Sequence, residues 1–326
     1  MSTYKKEVGT AVQNFAGDYT GAVEGQLWYN STAGSFQFRS VAATGSWATG
    51  GTLNQFRDQA AGSGPQTSTL VFGGGPPVRA ETESYDGTSW TELNDLNTGR
   101  RGLAGAGADN TSALAFSGIN PPGTSTSTEL WSGTCWSTVN PVNTYRGFGG
   151  GTGISTSALF FGGGTAGDGG PPYLANTESY NGTSWTEVND LNQARVGVAG
   201  AGADNTSALA FGGSLNPPPF AQTESWNGTC WSEVNDLNTA RQAHGGAGAD
   251  NTSALAFGGT IPPSTGLTEE FNGTCWSEVA DMATARSYIA GSGTKSLALA
   301  SGGSDTTNTE EWTGAGAPVT ETITTS

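Results

Sequence analysis

The chain has one histidine, three cysteines and two methionines among 326 residues, and only twelve lysines and arginines against 28 acidic residues. A lone histidine and dispersed cysteines cannot supply the converging nitrogen and sulfur ligands of a zinc or copper centre, so no metal or cofactor is expected. A formal charge of −16 excludes a general binder of nucleic acid or anionic membrane, because phosphate attraction needs clustered positive charge. Met1 to Lys6 is polar and lacks the apolar core of a signal peptide, and no run elsewhere approaches the length of a membrane span. Apolar residues make up only 34%, yet the ten tryptophans and thirteen phenylalanines recur at fixed places where they can fill layers between repeated units.

What is present is repetition. Trp47, Trp90, Trp136, Trp185, Trp231 and Trp276 are each followed ten residues later by an arginine: Arg57, Arg100, Arg146, Arg195, Arg241 and Arg286. A small apolar run then ends at Phe72, Phe116, Phe161, Phe211, Phe257 or Ser301, and these endings lie 44, 45, 50, 46 and 44 residues apart. Such a period marks a repeat architecture. Each copy reads as four short strands. In the copy around Trp231, Ser207 to Phe211 is apolar throughout and stops at Gly212-Gly213. Thr223 to Trp226 follows a Pro-rich loop, Asn227-Gly228 predicts a hairpin turn in which both residues take positive φ, and Trp231 opens a strand ending near Val234. Gly245 to Gly248 is slim enough for an innermost strand where sheets crowd an axis.

The di-glycine, the aromatic on the third strand, the Trp opening the fourth and the Arg of the connection, here Gly212-Gly213, Trp226, Trp231 and Arg241, together resemble the kelch repeat over roughly residues 45 to 313. The resemblance implies an all-β fold, a six-bladed kelch-type β-propeller. The Trp47 strand, which has no preceding blade, is expected to close the ring beside residues 307 to 313, removing an open edge. Residues 1–44 are a small N-terminal attachment arm with a hairpin around Asn30 to Gly34, and residues 314–326 a C-terminal tail. The stretch from Glu24, EGQLWYNSTAGSFQFRS, resembles the leaders of kelch-like virion and tail-fibre proteins of marine bacteriophages.

A glutamate stands two residues before each third-strand aromatic: Glu83, Glu129, Glu178, Glu224, Glu269 and Glu310. One Arg and one Glu per copy in fixed register predict a structural ion-pair ring; a ring of arginines holding an anion in the channel is the alternative. Cys135, Cys230 and Cys275 share one repeat position and should pack beside the Trp without forming disulfides. Asp109, Asp204 and Asp250 are read as turn formers, with calcium ligation as the alternative. His244, in the slim strand, is read as incidental. Repeating acids such as Glu187 with Asp190 and Glu233 with Asp236 look like scaffold connections, so no catalytic residues are assigned and the protein is not expected to be an enzyme.

The loops joining second to third strands differ in length and chemistry from copy to copy, and variable loops on a rigid frame commonly carry binding. Their tips, Arg79, Ile119, Tyr173, Leu215, Phe220, Ile261 and Leu267, are the candidate binding residues. The resemblance implies a virion structural protein of tail-fibre or adhesin type, made in the host cytoplasm and exposed on the particle. Residues 1–44 would meet other virion proteins and the propeller a host surface glycan or protein, with homo-oligomerisation left open. A capsid or tail decoration protein is the second reading and a carbohydrate-active enzyme the third.

Overall fold

The computed structural model describes residues 12–323 apart from positions 18, 20, 21, 23–25, 42, 43, 167, 168, 216 and 217. Met1 to Lys6 and the Glu24 start of the arm segment lie outside the described residues. Every regular element among the described residues is a strand, and no helix there is long and apolar enough to cross a membrane.

The chain divides into two compact units, Met1–Gly45 with Gly314–Ser326, and Ser46–Thr313. In the first, Leu27–Asn30 and Ser35–Val41 pair antiparallel, and Gln13–Phe15 runs parallel to Leu27–Asn30. The turn between the paired strands forms because the Asn30 side-chain oxygen accepts the amides of Thr32 and Ala33 at 3.0 and 2.9 Å, while Gly34 takes a φ of 67°. Within the C-terminal tail, Pro318–Ile323 adds a fourth strand alongside Ser35–Val41.

Among its described residues the second unit holds six four-stranded antiparallel sheets, a repeated architecture consistent with a β-propeller. One sheet, typical of the rest, is formed by Ala199–Asp204, Ser207–Phe211, Thr223–Trp226 and Trp231–Val234 in that order. In the sheet built from Ala290–Gly293, Leu297–Ser301 and Thr309–Thr313, the fourth place is taken by Ser46–Thr49, with Trp47 opposite Trp312. The apolar second strands are buried on both faces, as their sequences require; Phe72, Phe116, Phe161, Phe211 and Phe257 are inaccessible. Five fourth-strand tryptophans, Trp47, Trp136, Trp185, Trp231 and Trp276, lie against the Phe of the preceding sheet, as in Phe116 with Trp185 at 4.8 Å and Phe161 with Trp231 at 5.1 Å between ring centroids, whereas Trp90 follows the sheet that ends in Ser301. The indole N–H donates to the Thr that opens the preceding sheet's third strand: Trp185 to Thr128, Trp231 to Thr177 and Trp276 to Thr223, at 3.1, 3.0 and 3.1 Å.

The first strands show why their sequence is A-G-A-G. Side chains alternate across a sheet, so one set of residues faces the sheet before and the other the sheet after. A Cβ added to Gly246 would lie 2.8 Å from the Gly200 carbonyl, and one on Gly291 would lie 2.6 Å from that of Gly246. Glycine is required on one face because the neighbouring backbone is already there. The slim strand runs Gly245–Asp250, two residues beyond the sequence expectation, with an irregularity before Asp250.

The N-G-T turns also differ from expectation. Gly228 alone has positive φ, 90°, whereas Asn227 uses its side-chain oxygen to accept the amides of Thr229 and Cys230 at 2.9 and 3.0 Å. This four-residue loop between Trp226 and Trp231 is an Asn-capped turn, not a two-residue one with both centres left-handed. The cysteines are consequently at turn ends: Cys135 and Cys275 are exposed and Cys230 half-buried, not packed beside the indoles, and all three are free thiols.

Candidate functional site

Each repeat arginine leaves one sheet on the connection after its fourth strand and reaches the glutamate on the third strand of the next. Arg57–Glu83, Arg100–Glu129, Arg146–Glu178, Arg195–Glu224 and Arg286–Glu310 lie at 2.8, 3.2, 2.9, 2.5 and 2.9 Å, and Arg241 pairs with Glu269 in the same way. Burial pulls the guanidinium pKa down at Arg100, Arg146, Arg195, Arg241 and Arg286, and the paired glutamate opposes it. These side chains are inaccessible to solvent, so the arginines present no charge to an anion in a channel. Asp109, Asp204 and Asp250 use one carboxylate oxygen to accept both the amide and the hydroxyl of Thr111, Thr206 and Thr252, at 2.6–2.8 Å, which is the geometry of a turn former.

Two residues beyond each arginine the backbone turns left-handed. Gln59, Phe148, Ala243 and Tyr288 have φ of 57°, 57°, 54° and 56°, and Gly102 and Gly197 occupy the equivalent places at 56° and 65°. Their amides form a circuit. Gly102 donates to Gln59, Phe148 to Gly102, Gly197 to Phe148, Ala243 to Gly197, Tyr288 to Ala243, and Gln59 back to Tyr288, at distances from 2.6 to 3.3 Å. Phe148 and Tyr288 stand three steps apart in this circuit of six, and their rings meet with centroids 5.7 Å apart.

Around this pair lies a cavity of about 240 Å³, lined by Phe148, Gly169, Gly170, Tyr173, Val196, Gly197, Gln242, Ala243 and Tyr288. Gly169, Gly170 and Tyr173 bring one loop to this cavity, and the described residues of that loop bond to one another, with Thr165 donating to Pro172 at 3.1 Å and Gly169 to Ala166 at 2.8 Å. Gly169 (φ 77°) sits so close over Phe148 that a Cβ there would fall 2.2 Å from the ring. Beside it is a smaller cavity of about 90 Å³ that includes Leu103, Val198, His244 and Ile289.

His244 takes the place of these apolar neighbours. Neither ring nitrogen has a hydrogen-bond partner, and burial, with the charges of Arg241 and Arg195, holds its pKa well below the histidine range. Asp58, preceding Gln59, is pushed up to about 6 by burial and by the charge of Asp305. Tyr288 is pushed up by its own burial and by Asp58, with Arg101 opposing. Arg101 donates to the Gln59 side chain at 2.7 Å. At the opposite end of the slim strands another cavity of about 240 Å³ is lined by small residues and Pro65 and Ile154, with no ionisable or aromatic side chain.

The structure gathers few of the loop tips predicted from sequence. Tyr173 joins the aromatic cavity. Ile119 does not reach solvent: it is 0% exposed and packs where a Cβ on Gly147 would meet it at 2.8 Å, so its strand pairs inward rather than displaying a tip. Arg79 is half-buried and held by Gln55 at 2.6 Å, by Glu81 and over the Phe56 ring. Leu215, Phe220, Ile261 and Leu267 are half-buried, and the carbonyls of Phe220 and Leu267 accept from Arg241. Gly167 and Asp168 of the third such loop and Asn216 and Pro217 of the fourth lie outside the described residues. Phe148, Tyr288 and Gln242 line the cavity from the connections that follow the repeat arginines, not from the loops of variable length. The signal was a single position, Arg plus two, where Gln, Gly, Phe, Gly, Ala and Tyr alternate along the copies.

No protein-family model and no curated protein matches this chain.

Proposed function

We propose that Ser46–Thr313 is a six-bladed propeller of kelch type, closed by Ser46–Thr49, and that it serves as the binding head of a phage virion protein of tail-fibre or adhesin type. Closure is supported by the pairing of Trp47 with Trp312 and by the hydrogen-bond circuit that returns from Tyr288 to Gln59. The virion setting is supported by the likeness of the arm segment to phage leaders, with residues 1–44 as the attachment region and a host surface glycan or protein as the partner.

One observation carries the binding role. A bulky residue at positive φ is disfavoured by about 1–2 kcal/mol, and glycine fills the same place in two of the six copies. Phe148 and Tyr288 are nevertheless placed there, meeting each other beside a ring-sized cavity. Strain of this kind, retained where the scaffold offers a relaxed alternative, points to function. The repeated carboxylates are engaged in ion pairs and turns, which favours a binder over an enzyme.

The full chain, fluorescently labelled, should bind the surface of bacteria that the particle infects, and Phe148→Gly with Tyr288→Gly should abolish that binding. Undiminished binding by the double variant argues against this face. Attachment to particles instead of cells through Ser46–Thr313 would favour a decoration role.

A further inference from the structure

Resting on the binding role proposed above, we infer that the cavity between Phe148, Tyr173 and Tyr288 takes one uncharged sugar ring, held by stacking on the aromatic side chains and by hydrogen bonds to the Gln242 side chain.

Three features select this chemistry. The cavity, about 240 Å³, is smaller than the range that holds a drug-sized ligand, so it suits a single ring rather than an extended peptide. Its lining pairs aromatic side chains with the side-chain amide of Gln242 and with the glycines 169, 170 and 197, which leave the aromatic faces uncovered by side chains of their own. A sugar has the matching pair of surfaces: a face of C–H bonds, slightly positive, that lies on the negative face of a π system, and a rim of hydroxyls that need donors and acceptors. Among the described residues no carboxylate, ammonium or guanidinium lines the cavity, and an ionic ligand would lose its hydration without a countercharge. Arg101, whose charge reaches Tyr288, is already engaged by Gln59.

The site is also prearranged. Phe148 and Tyr288 are fixed at the backbone by the hydrogen-bond circuit, and the loop carrying Tyr173 is bonded to itself. Rigid aromatic residues bind with little loss of freedom, which is the advantage of tyrosine in recognition surfaces.

The full chain is titrated with methyl α-D-glucopyranoside, methyl β-D-galactopyranoside, methyl α-D-mannopyranoside and N-acetylglucosamine, followed by calorimetry and by saturation transfer from protein to ligand protons. Choline and glucuronate serve as cationic and anionic probes. At least one neutral sugar is expected to bind, with saturation strongest on its ring C–H protons. Tyr288→Gly and Tyr173→Ala should each weaken it at least tenfold while the melting temperature stays within a few degrees; the second variant leaves the left-handed backbone untouched. Binding of choline or glucuronate with no neutral sugar overturns the inference, as does sugar binding that both variants retain, or no binding by any probe. Cell binding that survives while every sugar fails sinks the sugar and leaves the display role standing, whereas sugar binding without cell binding does the reverse.

Discussion

Arg146 donates to Glu178 at 2.9 Å while its guanidinium lies 3.9 Å over the ring of Phe160, and the second oxygen of Glu178 accepts the amide and side chain of Asn143 at 2.6 and 2.9 Å. The carboxylate thus ties the connection leaving one sheet to the third strand of the next. Removing one partner strands a buried charge, so Glu178→Ala should lose about 3–5 kcal/mol by denaturant unfolding. Replacing both by apolar residues of similar volume should lose much less. A Glu178→Ala midpoint equal to that of the parent would contradict a structural ion pair.

Crowding of the first strands gives a second expectation. Gly291→Ala places a methyl 2.6 Å from a backbone carbonyl of the adjoining sheet, where neither side can yield easily. Overpacking of this kind should destabilise by about 1–3 kcal/mol. At Gly123 a Cβ meets nothing within 4 Å, so Gly123→Ala should be neutral or slightly stabilising. Equal melting temperatures for the two variants would refute the close approach of the strands.

The repeat itself was legible because each landmark answers to one physical demand. Trp231 needs a Thr partner and a Phe face in the preceding sheet, Arg241 needs Glu269, and Gly246 needs to be bare; these demands recur along the copies, with Ser301 alone replacing the Phe, and appear in the sequence as a period. The aromatic cavity proposed as a binding centre was not legible in the same way. Ile119 looked like a loop tip because it follows Ser117-Gly118, yet its two-residue strand turns inward to fill space that Gly147 leaves. Phe148 and Tyr288 looked like connection residues, because sequence shows neither the sign of φ nor that positions 140 residues apart meet across a circuit. The Asn-Gly turns were placed correctly, but their conformation depended on whether the Asn side chain or its backbone supplied the turn.

Two buried groups should give opposing pH dependences. His244 has a native pKa below its unfolded value of about 6.5, so below that pH the unfolded chain takes up a proton that the native state refuses, and stability falls on acidification. Asp58 is raised to about 6 from an unfolded value near 3.9, so the native state holds its proton longer. Its contribution is therefore lost as pH rises from about 4 to about 6. His244→Leu, matching Leu103, should raise the melting temperature and remove the acid-side loss. Asp58→Asn should raise stability at pH 7 and steepen the remaining decline toward acid. Melting temperatures taken from pH 4 to 8 check both, and an unaltered profile for His244→Leu would count against an unpartnered neutral imidazole.

The left-handed circuit leads to an unusual expectation for truncating an aromatic residue. Phe161 is 0% exposed and packs on Trp231, so Phe161→Ala should lose about 3–5 kcal/mol, as core truncations do. Phe148 and Tyr288 are only partly buried, with Tyr288 37% exposed, and both hold φ near 57° where Gly102 and Gly197 serve equally in the circuit. Glycine at either place loses ring contacts but relieves roughly 1–2 kcal/mol of backbone strain. The two effects nearly offset, and Phe148→Gly and Tyr288→Gly should each stay within about 1 kcal/mol of the parent. If either loses as much as Phe161→Ala in denaturant unfolding, the ring is a core residue, and the case for its being held there to meet a ligand fails.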